Sequence, residues 1–66
     1  MVHTENPPYI TVGFGLAGWY AVLRMWYEDI QGYDNWGTGI GHYPTREQAI
    51  EEAEEWAMAE NIKVII

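Results

Sequence analysis

The sequence predicts an α+β domain in which a small antiparallel sheet of three to four strands carries one amphipathic helix on one face, in the order β-β-β-α-β. Residues 9–43 alternate short apolar stretches with glycine-rich turns, which is typical of strands and hairpins. Residues 44–61 instead repeat apolar side chains at helical spacing. The β-branched stretch that follows favours a last strand.

The helix is the element whose start and end the sequence defines best. Thr45 occupies the position of an N-cap, and Gln48 three residues later completes a capping box. Pro44 keeps the preceding residue extended, and Asn61 favours a left-handed stop. One side of this helix is apolar and comprises Ala49, Ile50, Ala53, Trp56 and Ala57. The other side is acidic and comprises Glu47, Glu51, Glu52, Glu54, Glu55 and Glu60.

The acidic side of the helix has two interpretations. Like charges four residues apart, such as Glu47 and Glu51, destabilise a helix by roughly 0.2–0.5 kcal/mol per pair. A helix selected only for stability would alternate these glutamates with lysines, but only Arg46 opposes them. The face is therefore either a solvated surface that keeps the protein soluble or a surface shaped for a cationic partner.

The first half of the domain reads as a hairpin behind an extended arm. Residues 1–8 contain a Pro-Pro pair and form the arm, whereas residues 9–66 form the single domain. Tyr9–Phe14 is predicted to be a strand, and Gly15–Gly18 is predicted to be the hairpin loop. Trp19–Tyr27 is apolar on both faces, as expected of a central strand. Its outer face is the one that carries Arg24 together with Tyr20, Val22 and Trp26.

The second half of the sheet is predicted to begin after a turn-rich acidic loop at residues 28–35. Trp36–Tyr43 is the predicted third strand, with glycine at every second position, and Ile62–Ile66 is the predicted last strand at an edge. A glycine face allows a helix that bears Trp56 to lie close to the strand. Alternatively, it allows a flat ligand or a partner backbone to approach.

Length and composition limit what such a chain can do. With 66 residues and no cysteine, the core is small and has no disulfide support. The four Trp, five Tyr and one Phe suggest a core of large side chains, and a homodimer is a second way to gain stability. The net charge of −7 argues against direct binding to nucleic acid or to an anionic membrane. The sequence has no signal-peptide pattern and no membrane-span pattern, so we expect a cytoplasmic protein.

Residues with catalytic or metal-binding chemistry are few. The histidines are His3 in the arm and His42 at the end of the predicted third strand. Neither has a nucleophile and an orienting acid at a sequence spacing that indicates a catalytic triad. The acids Glu28, Asp29 and Asp34 lack the alternating spacing of an EF-hand. We therefore predict that the protein is not an enzyme and has neither a metal site nor a cofactor.

One resemblance is confined to the helix start. Strands followed by a helix that opens T-x-x-[EQ]-A, here Thr45 to Ala49, resemble many small bacterial and phage domains, including antitoxins of the HicB type. This resemblance covers only the helix start and the strand order, and it implies no role for any residue.

The favoured function is a small acidic inhibitor or regulator that binds a basic protein, such as a nucleic-acid-binding protein, in place of phosphate. In size and charge the chain is similar to phage-encoded inhibitors of bacterial defence, such as anti-CRISPR proteins. Carboxylates would steer the encounter and aromatic side chains would anchor it. The predicted partner-binding residues are Glu47, Glu51, Glu52, Glu54, Glu55, Asp29, Asp34, Tyr20, Trp26, Tyr33 and Trp36.

The alternative is a homo-oligomeric protein that binds a small planar or nucleotide-like ligand. Its site would use the glycine-faced third strand and the aromatic residues near it. The residues predicted for that site are Gly37, Gly39, Gly41, His42 and Tyr43.

Overall fold

The computed structural model describes residues 6–66 and confirms the predicted α+β architecture. The elements are β1 (Tyr9–Gly15), β2 (Gly18–Tyr27), β3 (Gly32–Thr38), α1 (Arg46–Glu60) and β4 (Lys63–Val64). They form one sheet in the order β3-β2-β1-β4, with β2 in a central position as predicted. Residues 1–5, which include most of the predicted arm and His3, lie outside the described residues.

The direction of β4 makes the sheet mixed. β1, β2 and β3 pair antiparallel, whereas β4 pairs parallel with β1. Helix α1 carries the chain back toward the end at which β3 began, so β4 runs in the direction of β3. Because β1 and β3 both run opposite to β2, β4 is parallel to β1 as well.

The first hairpin closes tightly at its glycines. Gly15 pairs with Gly18 and leaves a two-residue loop, so the predicted loop at residues 15–18 is confirmed at its centre. Gly18 has φ +118°, a conformation that favours glycine. A Cβ atom added there would lie 2.5 Å from the carbonyl oxygen of Tyr43. Only glycine fits both this backbone conformation and this close approach.

The predicted boundaries of the third strand are wrong. The acidic turn covers only residues 28–31, and β3 begins at Gly32 and ends at Thr38, so Tyr33 to Asn35 belong to a strand rather than a loop. A β-bulge makes Trp36 an extra residue, since Leu23 pairs with Gly37 and Arg24 pairs with Asn35. β3 is an edge strand, where polar side chains reach solvent, and pairing with β2 outweighs its turn-like composition.

After Thr38 the chain leaves the sheet and touches it again at two points. The Gly39 N–H donates to the Ala21 carbonyl (2.9 Å). Tyr43 and Trp19 exchange two backbone hydrogen bonds of 2.8 Å each. The alternating glycines 37, 39 and 41 therefore do not share one strand face, because the strand ends between the first and the second.

The core is built from alanines and aliphatic side chains rather than aromatic ones. Three buried helix residues, Ala49, Ala53 and Ala57, let α1 lie close to the sheet. Ala53 and Ala57 pack with Ile10, Ala21 and Leu23, and the partly buried side chains around this cluster are Val12, Met25, Trp56, Ile62 and Val64. The expectation of a core of large aromatic side chains is wrong. Among the described residues, Ile10 is the only large side chain that is fully buried.

The helix has Thr45 as its N-cap and Asn61 as its left-handed stop, as predicted, but the Gln48 side chain contacts the Thr45 hydroxyl rather than the backbone N–H that a capping box requires. The Thr45 hydroxyl accepts a hydrogen bond from the Gln48 N–H (3.4 Å) and donates one to Gln48 Oε1 (3.0 Å). Asn61 takes the left-handed conformation (φ 58°, ψ 46°), and its N–H donates to the Ala57 carbonyl. Within residues 6–66, no helix has the length and apolar character needed to cross a membrane.

Candidate functional site

The outward side of α1 is a continuous acidic surface. Helical spacing from the Thr45 cap directs Glu47, Glu51, Glu54 and Glu55 into solvent, and all four are exposed. Glu52 differs, because it is half-buried. Glu47, in the first turn, is stabilised by the positive end of the helix dipole. The structure thus presents the predicted helix residues together on one side of the molecule.

A cleft of about 170 Å³ lies on this surface where α1 faces the segment that follows β3. Its lining residues are Tyr43, Gln48, Glu51, Glu52 and Glu55. Tyr43 is held there by its paired backbone hydrogen bonds to Trp19. The helical residues fall on one flank of α1 because their spacing of three or four residues matches the helical repeat. We call this feature the acidic cleft.

Gly39 allows the Glu52 carboxylate to turn inward. A Cβ atom added at Gly39 would overlap that carboxylate and would lie 2.7 Å from its Cδ atom. Glu52 Oε1 is buried and has no hydrogen-bond partner among the described residues. A buried acceptor without a partner carries a desolvation cost that a donor placed in the cleft would relieve.

Tyr43 is electrostatically coupled to these carboxylates. The pKa of its hydroxyl is raised, first by the adjacent Glu52 carboxylate acting as a hydrogen-bond acceptor and then by desolvation. The negative charges of Glu52, Glu55 and Glu51 raise this pKa further, because they oppose formation of a phenolate. The Tyr43 hydroxyl therefore stays protonated and remains a donor beside three acids.

Most of the predicted aromatic anchors lie on the other side of the sheet. The register places Tyr20, Trp26 and Tyr33 on the face opposite α1, which we call the open face. The Tyr33 ring packs edge-on against Trp26 (5.4 Å between centroids), and its hydroxyl donates to the Pro7 carbonyl (2.8 Å). All three side chains are half-buried. Because they lie on the open face and the glutamates lie on α1, the structure does not bring the two groups together.

The remaining predicted partner-binding residues lie near the β3 edge. Trp36 is 63% exposed at the bulge. Asp34 is exposed and pairs with Met25, which places it on the helix side of the sheet. Asp29 is exposed in the turn between β2 and β3. Asp29 and Asp34 thus add exposed acidic side chains beyond α1.

The residues of the alternative ligand site are dispersed. No described atom comes within 4 Å of a Cβ atom added at Gly37, whereas the space at Gly39 is filled by Glu52 and the space at Gly41 by the Tyr43 ring. His42 packs on the open face against Tyr20, with 5.8 Å between the ring centroids. A flat ligand in front of these glycines would require Glu52 and Tyr43 to move.

The cleft was not predicted as a unit. Gln48 was assigned only to the helix cap, and Tyr43 only to the alternative ligand site. The helical spacing of residues 48, 51, 52 and 55 predicts that they share the side of α1 that lines the cleft. Tyr43 joins them only through its backbone pairing with Trp19, which the sequence does not indicate. Within residues 6–66, no three histidine or acidic side chains are grouped so as to hold a metal ion.

Comparison with known protein families, curated proteins and solved structures gives no match for this chain. The case for a function therefore rests on the acidic cleft and on the charge around it.

Proposed function

We propose that this protein is a small acidic, non-enzymatic interaction module that binds a basic protein in the cytoplasm and inhibits or regulates it. The observation that carries the proposal is the acidic cleft, in which a buried carboxylate oxygen of Glu52 lacks a hydrogen-bond partner among the described residues. A lysine or arginine side chain from a partner neutralises the acids of the cleft and, once the Glu52 side chain rotates outward, supplies the donor that this oxygen lacks.

An arginine fits the cleft best. A guanidinium presents several N–H donors in a fixed fork and binds carboxylates in a bidentate manner. Glu51, Glu52 and Glu55 supply the carboxylates, and Gln48 supplies a further amide oxygen. The partly desolvated position of Glu52 makes this contact stronger than an ion pair at a fully exposed site, where the gain is small.

A nucleic-acid-binding protein is the class of partner that this surface favours. Such proteins carry clusters of lysine and arginine that neutralise phosphates. A surface with exposed glutamates along α1, and Asp29 and Asp34 beyond it, can occupy a cationic groove in place of phosphate. The net charge of −7 accelerates the encounter with a cationic surface and repels nucleic acid itself.

The aromatic contribution to this contact is smaller than the sequence suggested. Tyr43 lies in the cleft and Trp36 is exposed at the bulge of β3, whereas Tyr20, Trp26 and Tyr33 lie on the open face. The proposed contact therefore depends chiefly on charge, with Trp36 as an apolar anchor at its margin.

The test is a pull-down of basic proteins from host lysate, followed by binding measurements on the recovered partner with charge-matched variants. The cleft variant carries Glu51→Lys, Glu52→Lys and Glu55→Lys. The control carries Glu28→Lys, Glu60→Lys, Ile40→Lys and Met58→Lys, which change the net charge by the same amount at exposed positions outside the cleft and outside the predicted partner-binding residues.

We expect the cleft variant to lose binding and the control to retain most of it. Binding of the unmodified protein should also weaken between about 0.1 and 0.5 M salt, as exposed charges become screened. The proposal is wrong if the cleft variant binds every recovered partner unchanged. Equal losses in the cleft variant and the control would show that net charge, and not the cleft, determines binding.

A further inference from the structure

The two edges of the sheet differ in how they are protected against pairing with another strand. At the β3 edge, the bulge at Trp36 interrupts the strand, and the Asn35 N–H donates to the Asp34 carboxylate (2.8 Å). The neighbouring turn adds Glu28 and Asp29. Bulges and charged side chains are common devices that stop an edge strand from joining another sheet.

The β1 edge carries none of these devices beyond its first two residues. β4 pairs only with Tyr9 and Ile10, and the last hydrogen bond on that side runs from the Ile65 N–H to the Ile10 carbonyl (2.9 Å). Alternate residues of a strand direct their backbone groups to the same side. Val12 and Phe14 therefore direct their N–H and C=O groups outward, past the end of β4.

Exposed apolar side chains lie along the same edge. Phe14 is 67% exposed, and Leu16 in the hairpin loop is fully exposed. Ile65 and Ile66, which follow β4, are also exposed. A segment with free backbone groups beside exposed apolar side chains is suited to strand addition, in which main-chain hydrogen bonds and side-chain burial act together.

The charge distribution indicates which strand can approach. Residues 6–23 include all of β1 and contain no charged side chain, although the chain carries a net charge of −7. Two copies of such a chain repel each other, and β1 itself adds no charge to that repulsion when two β1 edges meet. The small core, in which alanines make the main helix contacts, is also the type that gains most from an added interface.

The described residues just before β1 do not occupy this position. The Tyr33 hydroxyl donates to the Pro7 carbonyl, so residues just before β1 cross the open face toward β3. That direction leads away from the free side of β1.

We propose that the β1 edge is a homodimer interface, in which residues 12–14 pair antiparallel with the same segment of a second copy. The pairing joins two sheets into one and places Phe14 of each copy opposite Val12 of the other. The acidic cleft lies on the flank of α1 that faces the segment after β3, so both clefts stay open in the dimer. This interface is independent of the proposed binding to a basic protein.

The test is sedimentation equilibrium of the full chain across the micromolar range. Phe14→Lys places a charge on the edge, and Ile40→Lys places the same charge at a fully exposed loop position elsewhere. We expect the first variant to weaken dimerisation at least about tenfold and the second to leave it unchanged. Circular dichroism shows whether each variant keeps its fold.

Two further readouts locate the interface. Amide hydrogen exchange at Val12 and Phe14 should slow as protein concentration rises, because these N–H groups become paired only in the dimer. Raising the salt concentration should strengthen the dimer, since it screens the repulsion between two acidic chains, whereas it weakens binding of a basic partner.

The inference is overturned by a monomer at all concentrations or by a dimer that Phe14→Lys leaves intact. Exchange at Val12 and Phe14 that does not depend on concentration would overturn it as well. A failure of basic-protein binding would leave the dimer unaffected, so the two proposals fail separately.

Discussion

Gly18 joins the first hairpin to the acidic cleft, and its replacement by alanine gives the sharpest stability prediction. Its φ of +118° lies outside the range that side-chain-bearing residues adopt at low cost. An added Cβ atom would also meet the Tyr43 carbonyl carbon at 3.2 Å. That carbonyl accepts the Trp19 N–H bond that fixes the segment after β3 against β2.

The magnitude follows from two separate costs. Backbone strain at a sparsely populated conformation is about 1–3 kcal/mol. Loss or distortion of one hydrogen bond between Trp19 and Tyr43 adds about 1 kcal/mol. We therefore expect Gly18→Ala to lower the free energy of unfolding by about 2–4 kcal/mol, which is a fall in Tm of at least about 8 °C for a domain of this size.

Gly37→Ala is the matched control. Gly37 also lies in the sheet, but its φ is not in the left-handed region and no described atom comes within 4 Å of the added Cβ. Such a substitution is neutral or stabilises a protein by about 0.4–1 kcal/mol. Thermal and urea unfolding followed by circular dichroism measure both variants. Equal Tm values for the two would refute the argument from φ and the Tyr43 contact.

Two further predictions concern Tyr43 and the end of α1. The pKa of Tyr43 is raised above that of the unfolded chain, so its contribution to stability is complete below about pH 10 and is lost as the pH rises through the folded-state value. As the pH rises above about 10, the Tyr43→Phe variant should therefore lose less stability than the unmodified protein. Glu52→Gln should lower the Tyr43 pKa in a tyrosinate absorbance titration. Unchanged curves in both experiments would contradict the coupling between Tyr43 and Glu52. Asn61→Gly should preserve stability, because glycine readily adopts the left-handed conformation found at residue 61. Asn61→Ala should lower the free energy of unfolding by about 1 kcal/mol, measured by urea unfolding. Equal urea midpoints for the two variants would contradict this prediction.

Local signals in the sequence account for the elements that were predicted correctly. The Thr45 cap and the Asn61 stop depend on interactions between neighbouring residues, so the limits of α1 could be predicted before any tertiary contact was known. The first hairpin has the same character, because two glycines flank a short loop between apolar strands. The centre of the sheet was also predictable, since β2 is apolar on both faces.

The errors occur where long-range pairing overrides local composition. The segment from Tyr33 to Asn35 has turn-like residues, yet its backbone pairs with β2 and Tyr33 packs against Trp26. The glycines beyond Thr38 looked like part of a strand, but the bulge at Trp36 and the inward turn of Glu52 at Gly39 end that regularity. Neither effect is encoded in residues that are close in sequence.

The sequence alone determined the order of elements, the ends of the helix, the glutamate face and the overall acidity, because each depends on composition or on neighbours within one helical turn. Only the tertiary structure decided which aromatic residues lie away from the glutamates and which glutamate is partly desolvated. It also decided that Tyr43 closes the cleft and that the β1 edge extends beyond β4. These features depend on strand register and on close approach between distant segments, which are set by the packing of the whole domain.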